Sequence, residues 1–340
     1  MTSPIRIAVL GCGRIGQMHA ELLAHRVDGA IVTFLFDAIA DASNALGARV
    51  DVPVASSVDA LLASDQVDAV AICSSTDTHV ELMIAAAAAG KAIFCEKPVS
   101  LDLEQVDRGL AAVSAAGVPF MVGFNRRFDA SHKAVRDAVV GGHVGDVHLV
   151  RISSRDPAPP PITYIKGSGG IFCDMTIHDF DMARYVTGSE IVTVTAKGAV
   201  RVDPAIGDAG DLDTVVVVLE HESGAITTID NSRQAVYGYD QRVEVFGSKG
   251  MASSENPLNT TTVLRDASGT HQATLPYFFL DRYVPSYIAE WHAFIDTVRG
   301  APSPINAADG RAPLVAGLAA WRSVREGRSV GVDEIMAGVP

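Results

Sequence analysis

The sequence predicts an α/β chain with an N-terminal, doubly wound parallel sheet of Rossmann type. An α+β part built on a large, mostly antiparallel open sheet follows. Three observations predict it. A short apolar run, Ile7-Ala8-Val9-Leu10, feeds Gly11-Cys12-Gly13-Arg14-Ile15-Gly16 and then a helix-like stretch. Up to about Gly123, short apolar runs alternate with helical ones. After Gly123 strand-like runs follow one another across tight turns. The expected division is 1–123 for a dinucleotide-binding domain and 124–340 for a substrate-binding and oligomerisation domain.

The G-x-G-x-x-G turn has a physical reading. Gly11 permits the tight turn out of the strand, Gly13 lets phosphate oxygens approach the backbone, and Gly16 lets the helix lie close to its strand. The helix then directs its free N–H groups and positive dipole end at a pyrophosphate. Val32-Thr33-Phe34-Leu35-Phe36 reads as a second strand ending on Asp37. That acid sits about 20 residues downstream, where a carboxylate takes the ribose hydroxyls. It would repel a 2′-phosphate, and Ala38-Ile39-Ala40 supply no counter-cation, so NAD is expected over NADP. The plain alternative is an Asp that caps the next helix.

The remaining elements follow in order. Strands are expected at Ile5–Leu10, Val32–Phe36, Ala69–Cys73, Ala92–Cys95 and Phe120–Val122, with helices between them at Val80–Ala89 and Leu103–Ala116. Next come a helix at Phe128–Val140, a strand at Val147–Ser153 and the Pro-rich loop from Asp156 to Pro161. Strands at Asp213–Glu220, Ala225–Asp230 and Arg242–Phe246 are joined by turns at Glu222-Ser223-Gly224 and at Gly247-Ser248-Lys249-Gly250. Two helices close the chain, Tyr287–Val298 and Ala308–Glu326, the latter stopped by Gly327.

Composition narrows the function. A length of 340 residues suits two domains, and 48% hydrophobic with 20% charged residues describes an ordinary globular protein. A net charge of −13 opposes nucleic acid and anionic membranes. No apolar run is long enough for a bilayer, and the strand at Ile5 leaves no room for a secretion signal. Cys12, Cys73, Cys95 and Cys173 lack zinc-type spacing and read as reduced, packed thiols of a cytoplasmic protein.

Two further motifs carry chemistry. Glu96-Lys97-Pro98 follows at the carboxyl end of the strand expected at Ala92–Cys95, so Lys97 faces the cofactor crevice unless it is a solvated strand-end lysine. In Gly169 to Asp181, a helix would set Asp174 and His178 on one face, one turn apart. A carboxylate so placed orients an imidazole acting as general base. A surface ion pair is the bland alternative. Asp181 adds an acid, yet a single His without a second ligand group argues against a metal, and none is expected.

Along essentially its whole length the chain resembles the Gfo/Idh/MocA oxidoreductases, and within them the inositol 2-dehydrogenases. The carriers are the 11–16 turn, Glu96-Lys97-Pro98, Gly123 to Asp129, Ser154-Arg155-Asp156 through Gly169-Gly170, Asp174 to Asp179, and Asp230 to Asp240. The resemblance implies NAD-dependent oxidation of a cyclic polyol, myo-inositol to its 2-keto product, by an enzyme that is usually a tetramer built on the open sheet. It implies a catalytic trio of Lys97, Asp174 and His178. Cofactor contacts are implied at Gly11, Gly13, Arg14, Ile15, Gly16, Asp37, Ser74, Glu96 and Lys97, and polyol contacts at Lys97, Arg127, Asp156, Asp174, His178 and Tyr237. Rival readings are a dehydrogenase of another inositol or a pyranose, a redox-neutral NAD-dependent glycosidase, and a non-catalytic NAD-binding sensor.

Overall fold

The computed structural model describes residues 3–336, which form two compact units. The first holds the chain up to Asn125 together with Tyr287–Ala312; the second holds Arg126–Ser286 and the chain from Pro313 on.

In the first unit the chain runs β1 (Ile5–Leu10), α1 (Arg14–His25), β2 (Ala30–Phe36), α2 (Ala40–Val50), α3 (Val58–Leu62), β3 (Ala69–Ile72), α4 (Thr76–Ala88), β4 (Ala92–Glu96), α5 (Leu103–Ala116) and β5 (Phe120–Gly123). The strands form a five-stranded parallel sheet in the order β2-β1-β3-β4-β5. Ile7, Ala8 and Val9 are sealed from solvent, as are all four residues of β3, which is why these strands read as unbroken apolar runs. Helix α5 matches its expected bounds because both ends are signalled. Asp102 accepts from Gln105 N–H at the start, and Gly117, at φ 64°, turns the chain out at the end.

The expected boundary at 123/124 omits one feature. Residues 287–312 belong with the parallel sheet, because Trp291 and Phe294 stack on Phe94 of β4 at centroid distances of 4.5 and 5.7 Å. Removing such a ring from a packed core costs about 3–5 kcal/mol, enough to tie the segment to this unit.

The second unit contains α6 (Ala130–Val140), β6 (Val147–Arg155), α7 (Ile162–Ile165), α8 (Gly170–Asp174), α9 (Ile177–Thr187), β7 (Ile191–Ala199), α10 (Pro204–Asp208), β8 (Thr214–His221), β9 (Ile226–Ser232), β10 (Asp240–Gly247) and β11 (Gly250–Ser254). Then come the hairpin β12 (Val263–Asp266) with β13 (Gly269–Gln272), the long helices α11 (Phe279–Val298) and α12 (Ala307–Glu326), whose 287–298 and 307–312 portions count with the first unit, β14 (Val330–Gly331) and α13 (Val332–Met336). Helix α6 starts at Ala130 rather than Phe128, because the Asp129 carboxylate caps the N–H groups of Ser131 and His132.

Seven strands pair in the order β11-β10-β6-β9-β8-β7-β14, with β6 and β9 parallel and the other pairs antiparallel. Both expected turns are present: Gly224 N–H bonds His221 O, and Gly247 pairs with Gly250. Period-2 alternation sorts the side chains. Val150, Ile152, Val217, Leu219, Ile229, Val243 and Val245 join Ile171, Phe172 and Phe180 in the core. Leu149, Val216, Val218, Ile226 and Phe246 point the other way and stay partly exposed, so one face of the sheet is open.

Candidate active site

A candidate cofactor site is built in the first unit. Gly11 has φ 98°, and a Cβ there would lie 2.5 Å from Ser74 N. A Cβ on Gly16 would lie 1.9 Å from Gly11 O, whereas one on Gly13 would enter open space. The turn is therefore closed on the protein side and bare where a pyrophosphate would approach, so these residues fit a dinucleotide. Gly13 is the N-cap of α1 and provides no side-chain cap, and Arg14 and Ile15 form the first turn. Ser74 follows β3 and bonds Thr78 Oγ1 at 2.6 Å.

Asp37 stands one residue beyond β2. Cys12 N–H donates to its Oδ2 at 2.6 Å, and Ile39 N–H donates to its Oδ1 at 2.8 Å. Its carboxylate is thus oriented by the glycine turn and by the approach to α2, whose N-cap is Ile39. Glu96 closes β4 and is buried; half-buried Lys97 follows, joined to Pro98 by a cis peptide.

In the second unit the alternation along β6 selects which residues meet. Even-numbered positions face the helices, and Asp156 continues that parity past the strand's end, its N–H bonding Ser232 O. Burial pushes its carboxyl up to about 6; Arg233 pulls it down and Asp174 pushes it up. Asp174 accepts from Tyr164 Oη at 2.7 Å and from Arg233 Nη1 at 3.2 Å. Arg233 is 1% exposed and also donates to Asp211 Oδ2 at 3.3 Å, while Asp211 Oδ1 accepts from Ile171 N–H at the start of α8. Gly170 keeps this junction narrow: at φ 75°, a Cβ would lie 2.5 Å from Trp321 and 2.7 Å from Asp211.

The single helix expected through Asp174 and His178 is corrected. Helix α8 ends at Asp174 and α9 begins at Ile177. Between them both Met175 N–H and Thr176 N–H bond Ile171 O, a widened turn of π type, and Thr176 Oγ1 is held by Asn231 Oδ1 at 2.6 Å. His178 lies in the first turn of α9. Its neighbour Asp179 is fully buried and accepts from Arg126 Nη1 at 2.8 Å, Ser154 Oγ at 2.6 Å and Asn231 Nδ2 at 2.8 Å, which fixes α9 to the sheet.

Two expected polyol contacts, Arg127 and Tyr237, are held by protein partners. Arg127 is buried and holds Asp181 through Nε at 2.8 Å and Nη2 at 2.5 Å, with its guanidinium over the Tyr185 ring. A bidentate fork of that kind is an anchor. Tyr237 is on the opposite side of the sheet from Asp156: its hydroxyl accepts from Arg155 Nη1 at 3.0 Å and donates to Asp240 Oδ2 at 2.8 Å, and these partners belong to the open-face parity. With Asp240, Arg242 and Asn256 it lines an open groove of about 450 Å³. Sequence reasoning missed Tyr164 and Arg233, whose roles come from partners 10 and 59 residues away.

Comparison with known proteins agrees with this geometry. Residues 5–124 match the oxidoreductase family with an NAD-binding Rossmann fold, and residues 132–253 match the Gfo/Idh/MocA C-terminal domain. The chain belongs to the Gfo/Idh/MocA oxidoreductase family. It is 50% identical to myo-inositol 2-dehydrogenase of Thermotoga maritima, covering 98% of this chain and 100% of that one. It is 47% identical to inositol 2-dehydrogenase of Rhizobium meliloti, covering 96% and 99%. The crystal structure of scyllo-inositol dehydrogenase from Lactobacillus casei, with bound NAD(H) and scyllo-inositol, superposes at a TM-score of 0.91 with 29% identity, covering 97% and 100%. As a member of this family the protein is an NAD-dependent dehydrogenase. Among the described residues no helix is long and apolar enough to cross a membrane, and no group of three or more His, Cys, Asp or Glu could hold a metal ion.

Proposed function

We propose that this enzyme is an inositol 2-dehydrogenase, oxidising the secondary alcohol at C2 of myo-inositol to the 2-keto product, scyllo-inosose. The observation that carries the reading is full-length likeness, at 50 and 47% identity, to enzymes named for inositol oxidation. The grouping of Asp174 with Arg233, and of Asp156 near both, at one end of the covered sheet face supports the reading.

When bound, NAD supplies the acceptor for the hydride that leaves the carbinol carbon. The remaining chemistry falls to side chains. His178 takes the hydroxyl proton as general base. Asp174 favours the resulting imidazolium; a carboxylate accepts about four hydrogen bonds in all, so it serves the imidazole as well as Tyr164 and Arg233. Lys97 donates to the reacting oxygen and stabilises the developing alkoxide charge. Asp156 accepts from a further ring hydroxyl and so selects which carbon reacts. Arg127, held by Asp181, and Tyr237, held by Arg155 and Asp240, share the remaining ring hydroxyls.

Asp37 sets the preference for NAD. A 2′-phosphate beside this carboxylate costs several kcal/mol, so kcat/KM for NAD should exceed that for NADP by at least about 100-fold. A panel of myo-inositol, scyllo-inositol, a chiro isomer and glucose, each with both cofactors, tests substrate and cofactor together. Fastest NADH formation with myo-inositol is expected; a pyranose preference, or equal use of NADP, overturns the corresponding part. The four buried free thiols accord with a cytoplasmic enzyme. The open sheet face, with Val216 and Phe246 at 52 and 45% exposure, is proposed to mediate homotetramer formation. Light scattering should give four times 35.7 kDa, and a monomer would remove that proposal.

A further inference from the structure

The Glu96-Lys97-Pro98 segment is gripped on both flanks by buried histidines. His19, sealed inside the inner face of α1, places Nε2 2.7 Å from Glu96 Oε1. Its Nδ1 lies 3.0 Å from Trp291 Nε1. An indole N–H can only donate, so Nδ1 is the acceptor and the ring proton sits on Nε2, aimed at Glu96. The other oxygen of Glu96 accepts from Lys97 N–H at 3.2 Å. A continuous chain therefore runs from α11 through His19 and Glu96 to the main chain of Lys97. On the far side His79, 1% exposed, lies between Pro98 O at 2.9 Å and Ser74 O at 3.0 Å, tying the exits of β3 and β4 together. Burial pushes the His79 imidazole down, and the two carbonyls pull it up.

We propose that His19 is a positioning residue for Lys97: through Glu96 it fixes the backbone from which the ammonium projects, with His79 as the second fixed point. The inference rests on the dehydrogenase reading of Lys97. A lysine stem is flexible, so its root must be held if the ammonium is to meet a developing alkoxide, and displacement by about 1 Å can cost about 10²-fold in rate. The competing view is that His19 only packs, against Phe94, Tyr287 and Trp291, each at 5.4 Å between centroids. A packing role predicts lost stability with undiminished turnover of the folded enzyme.

Three variants separate these views, measured by kcat, both KM values, NADH binding by fluorescence and thermal midpoint. His19→Leu should lower kcat by about 10–100-fold. Its NADH affinity should stay within about threefold of wild type. His19→Gln should recover most of kcat, since an amide oxygen accepts from Trp291 while the amide nitrogen donates to Glu96. Trp291→Phe keeps a ring in place and removes only the N–H donor, and should lower kcat several-fold. Wild-type kcat in His19→Leu, or in Trp291→Phe should the leucine variant not fold, overturns the inference. Equal damage in His19→Gln and His19→Leu does the same. If wild-type enzyme forms no NADH from any polyol, both this inference and the dehydrogenase reading fall; active wild type with unimpaired variants overturns only this one.

Discussion

His178→Ala is expected to lower kcat with myo-inositol by about 10²–10⁴-fold, the usual worth of a positioned general base. A secondary alcohol releases hydride readily only as its proton departs, and without the imidazole that proton must go to water. The substitution should leave the scaffold intact. Residues around His178 are anchored independently, through Thr176 to Asn231 and through Asp179 to Arg126 and Ser154. NADH binding should persist, because the Gly11–Gly16 turn belongs to the other unit. Steady-state kinetics at saturating NAD, with circular dichroism as the folding control, checks this. Unchanged turnover would eliminate His178 as the base.

Lys97→Ala should be at least as damaging. Removing one donor aimed at a developing oxyanion typically costs about 10²–10³-fold, and an ammonium in a site that excludes water contributes more than a neutral donor. Lys97→Arg should rescue little, because a planar fork does not replace a compact ammonium on a flexible stem. The readout is kcat alongside NADH affinity. Near-normal turnover in Lys97→Ala would exclude contact with the reacting oxygen, and loss of NADH binding alone would reassign the residue to the cofactor.

What could be read from the sequence was what neighbouring residues decide. The turn at Gly11, Gly13 and Gly16 was legible because each glycine answers a local steric demand. Strand β1 and helix α5 agree with their expected bounds because apolar runs meet caps and turns there. Distant partners decided the rest. Asn231, 55 residues from Thr176, accompanies the widened turn that separates Asp174 from His178. Asp181 claims Arg127 from 54 residues away. The partners of the Tyr237 hydroxyl, Arg155 and Asp240, were not legible, being a matter of strand parity and register. His19 read as one more helix residue, since its partners Glu96 and Trp291 lie 77 and 272 residues off. Strand β7 and the exposed β12–β13 hairpin carry too few consecutive apolar residues to announce themselves.

The most direct test uses myo-inositol carrying deuterium at C2, incubated with the enzyme and NAD. Growth of the NADH absorbance band, with the label recovered on the nicotinamide ring and a 2-keto product in equal amount, is the predicted result. Folded enzyme that binds NADH yet forms none, or forms it without the label, would contradict hydride transfer from that carbon.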